Sequence, residues 1–124
     1  MIKLSVIIPV YNEIKTIEKL IAKILEIDLT KQIIVVDDGS NDGTNIVLQK
    51  LSNKIDKLIV HSKNLGKGAA IKSGQEYVSG KYVGIQDADL EYEPKDLEKI
   101  VLSMEKNKYQ IMYGSRVLGK SKFK

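Results

Sequence analysis

Short apolar runs alternate with helical stripes along the whole chain, and each run ends in a polar cluster. Leu4 to Val10 (LSVIIPV) is continuous enough to be an inner strand buried on both faces, and Ile33 to Val36 repeats the pattern. Leu58 to Val60 predicts a weaker third strand, Tyr82 to Ile85 a fourth and Gln110 to Tyr113 a fifth. Between them, Ile14, Ile17, Leu20, Ile21, Ile24 and Leu25 fall on one helical face that Asn12 is expected to cap. Ile46, Val47, Leu48 and Leu51 mark a second helix. A third is expected to run from the glycine loop at Gly66 to about Val78, stopped by Ser79-Gly80. Pro94 opens a fourth, with Leu97, Ile100, Val101 and Met104 at i, i+3, i+4 and i+7.

Strands alternating with helices predict an α/β fold with a mostly parallel, Rossmann-like sheet and helices on both faces. Ligands of such sheets bind beyond the carboxyl ends of the strands. The polar clusters fall there: Tyr11 to Glu13, Asp37 to Asp42, Asn64 to Gly68, Asp87 to Glu91, and Ser115 with Arg116.

Composition narrows the chemistry. The 124 residues suit a single domain, 43% hydrophobic and 29% charged, as in ordinary globular proteins. The net charge of +4 comes from lysines spread along the chain, without the clustering and interleaved aromatics of a nucleic-acid binder. With no cysteine, thiolate metal sites and cysteine nucleophiles are excluded, and any metal must be held by oxygen. No apolar run is long enough to span a bilayer and the start lacks a signal-peptide pattern, so a cytoplasmic location is expected, at most peripheral to a membrane.

The densest charge follows the fourth strand. Asp87, Asp89, Glu91 and Glu93 crowd one strand end, a costly arrangement unless a cation or donor-rich ligand compensates; the plain alternative is a solvated acidic loop before a helix. Carboxylates without histidine or cysteine suit Mg2+ or Mn2+, whose shells are commonly completed by substrate phosphates. Lys67 in the glycine loop and Arg116 add cationic partners for phosphate. Gly66 and Gly68 serve equally a tight turn or a phosphate cradle. The dinucleotide and P-loop fingerprints are absent, and neither Ser40 nor Ser115 has a histidine base at a recognisable spacing. His61, the one histidine, is read as a surface or packing residue.

The segments SVIIPVYNE (5–13), IVVDDGSNDGT (34–44), NLGKGAAIKSG (64–74), QDADLEYEP (86–94) and YGSR (113–116) together resemble family 2 glycosyltransferases of the GT-A fold. Within them the likeness is nearest to the dolichyl-phosphate mannose synthase and polyprenyl-phosphate sugar transferase branch. The resemblance implies transfer of a sugar from a GDP- or UDP-sugar to a polyprenyl phosphate with Mg2+ or Mn2+. By it, Pro9, Tyr11 and Glu13 would line the base and ribose pocket, Asp38 would accept hydrogen bonds from the base, Asp37 would support the loop and Lys67 would lie near the nucleotide. Asp87 and Asp89 match the family's D-x-D, and Glu91, where the branch often has glutamine, would be a third metal contact. Asp89 and Arg116 would carry catalysis, Arg116 by holding the acceptor phosphate. Family domains are commonly about twice this long, so the chain reads as the donor-binding half, cut short at its carboxyl end. A lipid acceptor implies attachment to the membrane surface, and an exposed sheet edge invites homo-oligomers. The alternatives are a non-catalytic nucleotide-binding or assembly module, a transferase to a saccharide acceptor, and a response-regulator receiver suggested by Asp37-Asp38.

Overall fold

A computed structural model describes residues 1–90, 92–107 and 116–120. In chain order its elements are β1 (Leu4–Val10), α1 (Ile17–Leu25), β2 (Lys31–Asp37), α2 (Thr44–Lys50), β3 (Lys57–Val60), α3 (Lys67–Gln75), β4 (Tyr82–Ile85), α4 (Lys95–Asn107) and β5 (Arg116–Lys120). The sheet runs β3-β2-β1-β4-β5, with the first four strands parallel and β5 antiparallel to β4. This is the mostly parallel α/β sheet that the alternation predicts.

β1 is central because both of its faces are apolar. Leu4, Val6, Ile8 and Val10 join one core with Ile17, Leu20 and Ile24 of α1, Leu48 of α2 and Leu97 and Val101 of α4. Ile7, on the opposite face, joins Ile34, Val78 and Val83 in a second, smaller core. α3 closes that face so tightly that a Cβ on Gly74 would come within 2.8 Å of Ile7 Cγ2. Ser5 shares this side, fully buried, and is satisfied by Gln32 Oε1 at 2.6 Å and the Gly80 N–H at 2.8 Å.

Two expectations need correction. Asn12 does not cap α1; it adopts a left-handed φ of 53° and its side chain accepts the Asn41 N–H, while Thr16 precedes the helix. Ile14 consequently falls outside α1 and is 40% exposed. α3 ends at Gln75 rather than Val78, whose side chain enters the smaller core while Ser79 is drawn by its N–H to Gln32 Oε1. The predicted strand at Gln110 to Tyr113 lies outside the described residues; the strand beside β4 begins at Arg116.

α4 is tied to the amino end of the sheet through Glu105, which pairs with Lys3, with Lys81 Nζ at 2.8 Å and with the Tyr82 hydroxyl at 2.7 Å. Hydrogen bonds from Lys3, Lys81 and Tyr82 pull its carboxyl down to about 2. A depressed folded-state value stabilises above the ordinary 4.5 and is lost as pH falls toward 2. In paired urea titrations, Glu105→Gln is therefore expected to be less stable than the parent at pH 7, with the gap closing between about pH 4.5 and 2.

Candidate nucleotide-sugar site

The sheet's topology opens one crevice. β1 has β2 on one side and β4 on the other, so successive crossovers leave it in opposite directions, and the switch point lies between β1 and β4. β4 pairs with β1 only as far as Ile7↔Ile85, whereas β1 continues to Val10 beside β2. The Ile7 carbonyl faces β4, accepting the Gln86 N–H at 3.0 Å, so the backbone nitrogen of Pro9 two residues on faces the same side, where β4 has already ended. A proline is thereby tolerated in a central strand at no loss of a ladder bond.

A cleft of about 470 Å³ occupies this place. Pro9, Tyr11 and Glu13 line it from the end of β1, Asp38 from β2, Asn64, Gly66 and Lys67 from the entry to α3, and Asp87, Ala88 and Asp89 from the end of β4. Pro9, Tyr11, Glu13, Asp38, Lys67, Asp87 and Asp89 are therefore brought together from segments up to 80 residues apart. Asp37 is not at the wall. It is fully buried beneath it, and its Oδ1 accepts the Ser40 N–H at 3.0 Å. Glu91 lies outside the described residues. Arg116 pairs with Ile85 in the sheet register; because β5 is antiparallel, its first residue reaches the edge where the parallel strands end.

Much of the polar motif chemistry is scaffold. The loop after β1 is stitched to the loop after β2 by Asn12 N–H to Ser40 Oγ (2.9 Å), Asn41 N–H to Asn12 Oδ1 (2.8 Å) and Glu13 N–H to Thr44 Oγ1 (3.1 Å). Thr16 reaches across to the acidic loop, its hydroxyl 2.6 Å from the Ala88 carbonyl between the two aspartates. Gln86 holds the far side of that loop by donating to the Tyr92 carbonyl at 2.9 Å. Nothing in the residue spacing marked Asn12, Thr16, Ser40, Thr44 or Gln86 for these roles, since each depends on two loops meeting in space.

Two charged centres stand within this frame. Asp38, 4% exposed, accepts from the N–H groups of Leu65 (2.8 Å) and Gly66 (2.9 Å) and lies 2.8 Å from His61 Nδ1. Burial pushes its carboxyl up, but these hydrogen bonds together outweigh burial and hold it below the usual carboxylate value. Asp87 carries the ammonium of Lys67. A cation is already at home on this carboxylate, and hard oxygen donors are the chemistry a divalent ion of the Mg2+ or Mn2+ kind accepts. Among the described residues no three acidic or histidine side chains converge into a cage. An ion here would take one or two carboxylates from the chain and the rest of its shell from phosphate and water.

The chain is thus a Rossmann-like α/β domain with its cleft at the switch point of the sheet. The family model described as glycosyl transferase family 2 matches residues 5–124, and the chain belongs to that family. It is 38% identical over 117 residues to the dolichol-phosphate mannosyltransferase of Pyrococcus furiosus, covering 92% of this chain and 33% of that protein. It is 36% identical over 106 residues to the undecaprenyl-phosphate 4-deoxy-4-formamido-L-arabinose transferase of Salmonella choleraesuis, covering 80% and 32%. In structure it resembles the Pyrobaculum calidifontis mannosyltransferase in complex with GDP-Man and Mn2+, at a TM-score of 0.74 and 28% identity over 83% of this chain and 32% of that one. It equally resembles S. aureus TarS 1-349 in complex with UDP-GlcNAc, at a TM-score of 0.74 and 26% identity over 87% and 32%. The chain thus spans about a third of the length of these relatives. Family membership displaces the receiver reading of Asp37-Asp38. No helix among the described residues is long and apolar enough to cross a membrane.

Proposed function

We propose that the complete protein transfers a sugar from a GDP- or UDP-sugar to a polyprenyl phosphate, and that this chain supplies the donor side of the reaction. The observation that carries the proposal is the convergence of Asp87, Asp89 and Lys67 in the switch-point cleft that Tyr11 and Glu13 also line. The aromatic face of Tyr11 and the apolar ring of Pro9 suit a base and ribose. Asp87 and Asp89 would hold Mg2+ or Mn2+ against the diphosphate, with Glu91 as a third contact. Bound there, the ion would stabilise negative charge on the departing diphosphate. Lys67 would exchange its carboxylate partner for a phosphate oxygen. The lipid phosphate is ionised at neutral pH and needs no strong base; Arg116 would orient it on the β5 side. A lipid acceptor also implies peripheral attachment to the cytoplasmic face of a membrane, aided by the scattered lysines.

Lys67→Ala separates the lysine's two partnerships. The pair with Asp87 is partly exposed, so its loss is expected to change stability by less than about 1 kcal/mol. Nucleoside diphosphate binding should weaken by roughly tenfold, a charge-assisted bond's share, while Mn2+ binding in the absence of nucleotide becomes tighter. Calorimetry of each ligand alone reads both signs.

Transfer itself is tested by incubating the complete protein with labelled GDP-mannose or UDP-N-acetylglucosamine, Mn2+ and polyprenyl phosphate in detergent, then extracting the lipid. Label in the organic phase supports the transferase. Tight donor binding with no label transferred to lipid would favour the non-catalytic module, and label appearing only on an added saccharide would favour the saccharide acceptor.

A further inference from the structure

The chain's only histidine belongs to none of the roles above, yet its side chain is 9% exposed and both ring nitrogens are engaged. His61 follows β3 directly, and its N–H donates to the Asp37 carbonyl at 2.9 Å, continuing the pairing with β2 by one residue. Its Nδ1 lies 2.8 Å from Asp38 Oδ1 and its Nε2 2.9 Å from Ser73 Oγ in α3. An ionised carboxylate only accepts, so Nδ1 must carry the proton; the serine hydroxyl can take either role at Nε2. Carboxylate, imidazole and hydroxyl stand in the order of a hydrolytic triad. Ser73, however, sits inside α3, where neighbouring N–H groups are spent on the helix and none is left for an oxyanion hole.

The hydrogen bonds lead instead toward the cleft. Asp38 Oδ1 also accepts from Leu65 N–H, and Oδ2 accepts from Gly66 N–H. Gly66, at a φ of 100°, is the turn that delivers Lys67 to Asp87. We propose that His61 is a positioning residue of the donor site: braced by Ser73, it fixes the Asp38 carboxylate, and through it the Leu65-Gly66 backbone that presents Lys67 to the diphosphate. This rests on the nucleotide-sugar reading of the cleft. A packing histidine would need only its volume. Here the position of the Nδ1 donor is what matters.

Two substitutions divide the ring. In His61→Asn the side-chain amide stands near Nδ1 and keeps a donor toward Asp38; in His61→Gln it stands near Nε2 and keeps only the serine. His61→Asn is expected to leave the hydrogen exchange of the Leu65 and Gly66 amides within about threefold of the parent, and likewise the affinity for UDP or GDP with Mn2+. His61→Gln should speed that exchange tenfold or more and weaken nucleotide binding by about tenfold, without a matching difference in urea midpoint between the two variants. Equal behaviour of the two would overturn the positioning role while leaving the donor site standing. Failure of the parent chain to bind either nucleotide would overturn the donor reading, and this role with it. Nitrogen NMR of the unmodified chain needs no variant to fold: a ring carrying its proton on Nδ1 is expected, and a neutral ring protonated only on Nε2 would contradict the proposal.

Discussion

Gly39→Ala is expected to destabilise the chain by about 3 kcal/mol, which at ~2 kcal/mol per molar urea lowers the midpoint by about 1.5 M. Two effects add. Gly39 has a φ of 79°, a left-handed conformation that costs an alanine about 1 kcal/mol. A Cβ there would also stand 2.5 Å from the Lys63 carbonyl carbon and 2.6 Å from the Asn64 nitrogen. Both are backbone atoms, which cannot rotate away, so the loops after β2 and β3 must separate. Those are the loops that Asp38 holds together, and nucleotide affinity should fall with stability. Gly68→Ala is the control: it lies in the first turn of α3 with nothing within 4 Å of the added carbon, and should be neutral or slightly stabilising. Equal losses in the two would mean that the loop contact carries no strain.

Asp89→Asn is expected to leave the fold intact and remove cation-dependent binding. Asp89 is exposed at the end of the β4 wall, where a side-chain interaction is worth little, so the change in stability should stay within about 1 kcal/mol. Groups that merely orient metal ligands cost 10- to 100-fold in affinity when removed, and a direct carboxylate ligand should cost at least about 100-fold. Electron paramagnetic resonance of Mn2+ with and without nucleotide reads this directly. Undiminished Mn2+ binding would take Asp89 out of the ion's shell.

The apolar runs made the architecture legible: β1 is buried on both faces because LSVIIPV offers no polar face, and α4 sits where Leu97, Ile100, Val101 and Met104 align. Cap positions were less legible, because Asn12 has two competing uses. As a helix cap it would serve only its own segment; as acceptor for Asn41 it joins two segments, and that bond holds. The residues on the cleft wall could be named because strand ends share one edge of a parallel sheet whatever the strand order. His61 could not be given its role in the same way. Its partners, Asp38 and Ser73, come from a neighbouring strand and a helix on the far side of a loop, and one isolated histidine carries no periodicity or spacing to connect them. Asp37 shows the converse: adjacent to Asp38 and identical in chemistry, it alternates to the buried side of the strand and supports the loop from beneath.

Calorimetric titration of the chain with UDP and with GDP, each with and without Mn2+, reads the occupancy of the donor site itself. One of the two nucleotides is expected to bind, at least tenfold more tightly with the ion present, which would also name the base of the donor. A folded chain that binds neither nucleotide, with Mn2+ or without it, would contradict the assignment of the switch-point cleft as a nucleotide-sugar site.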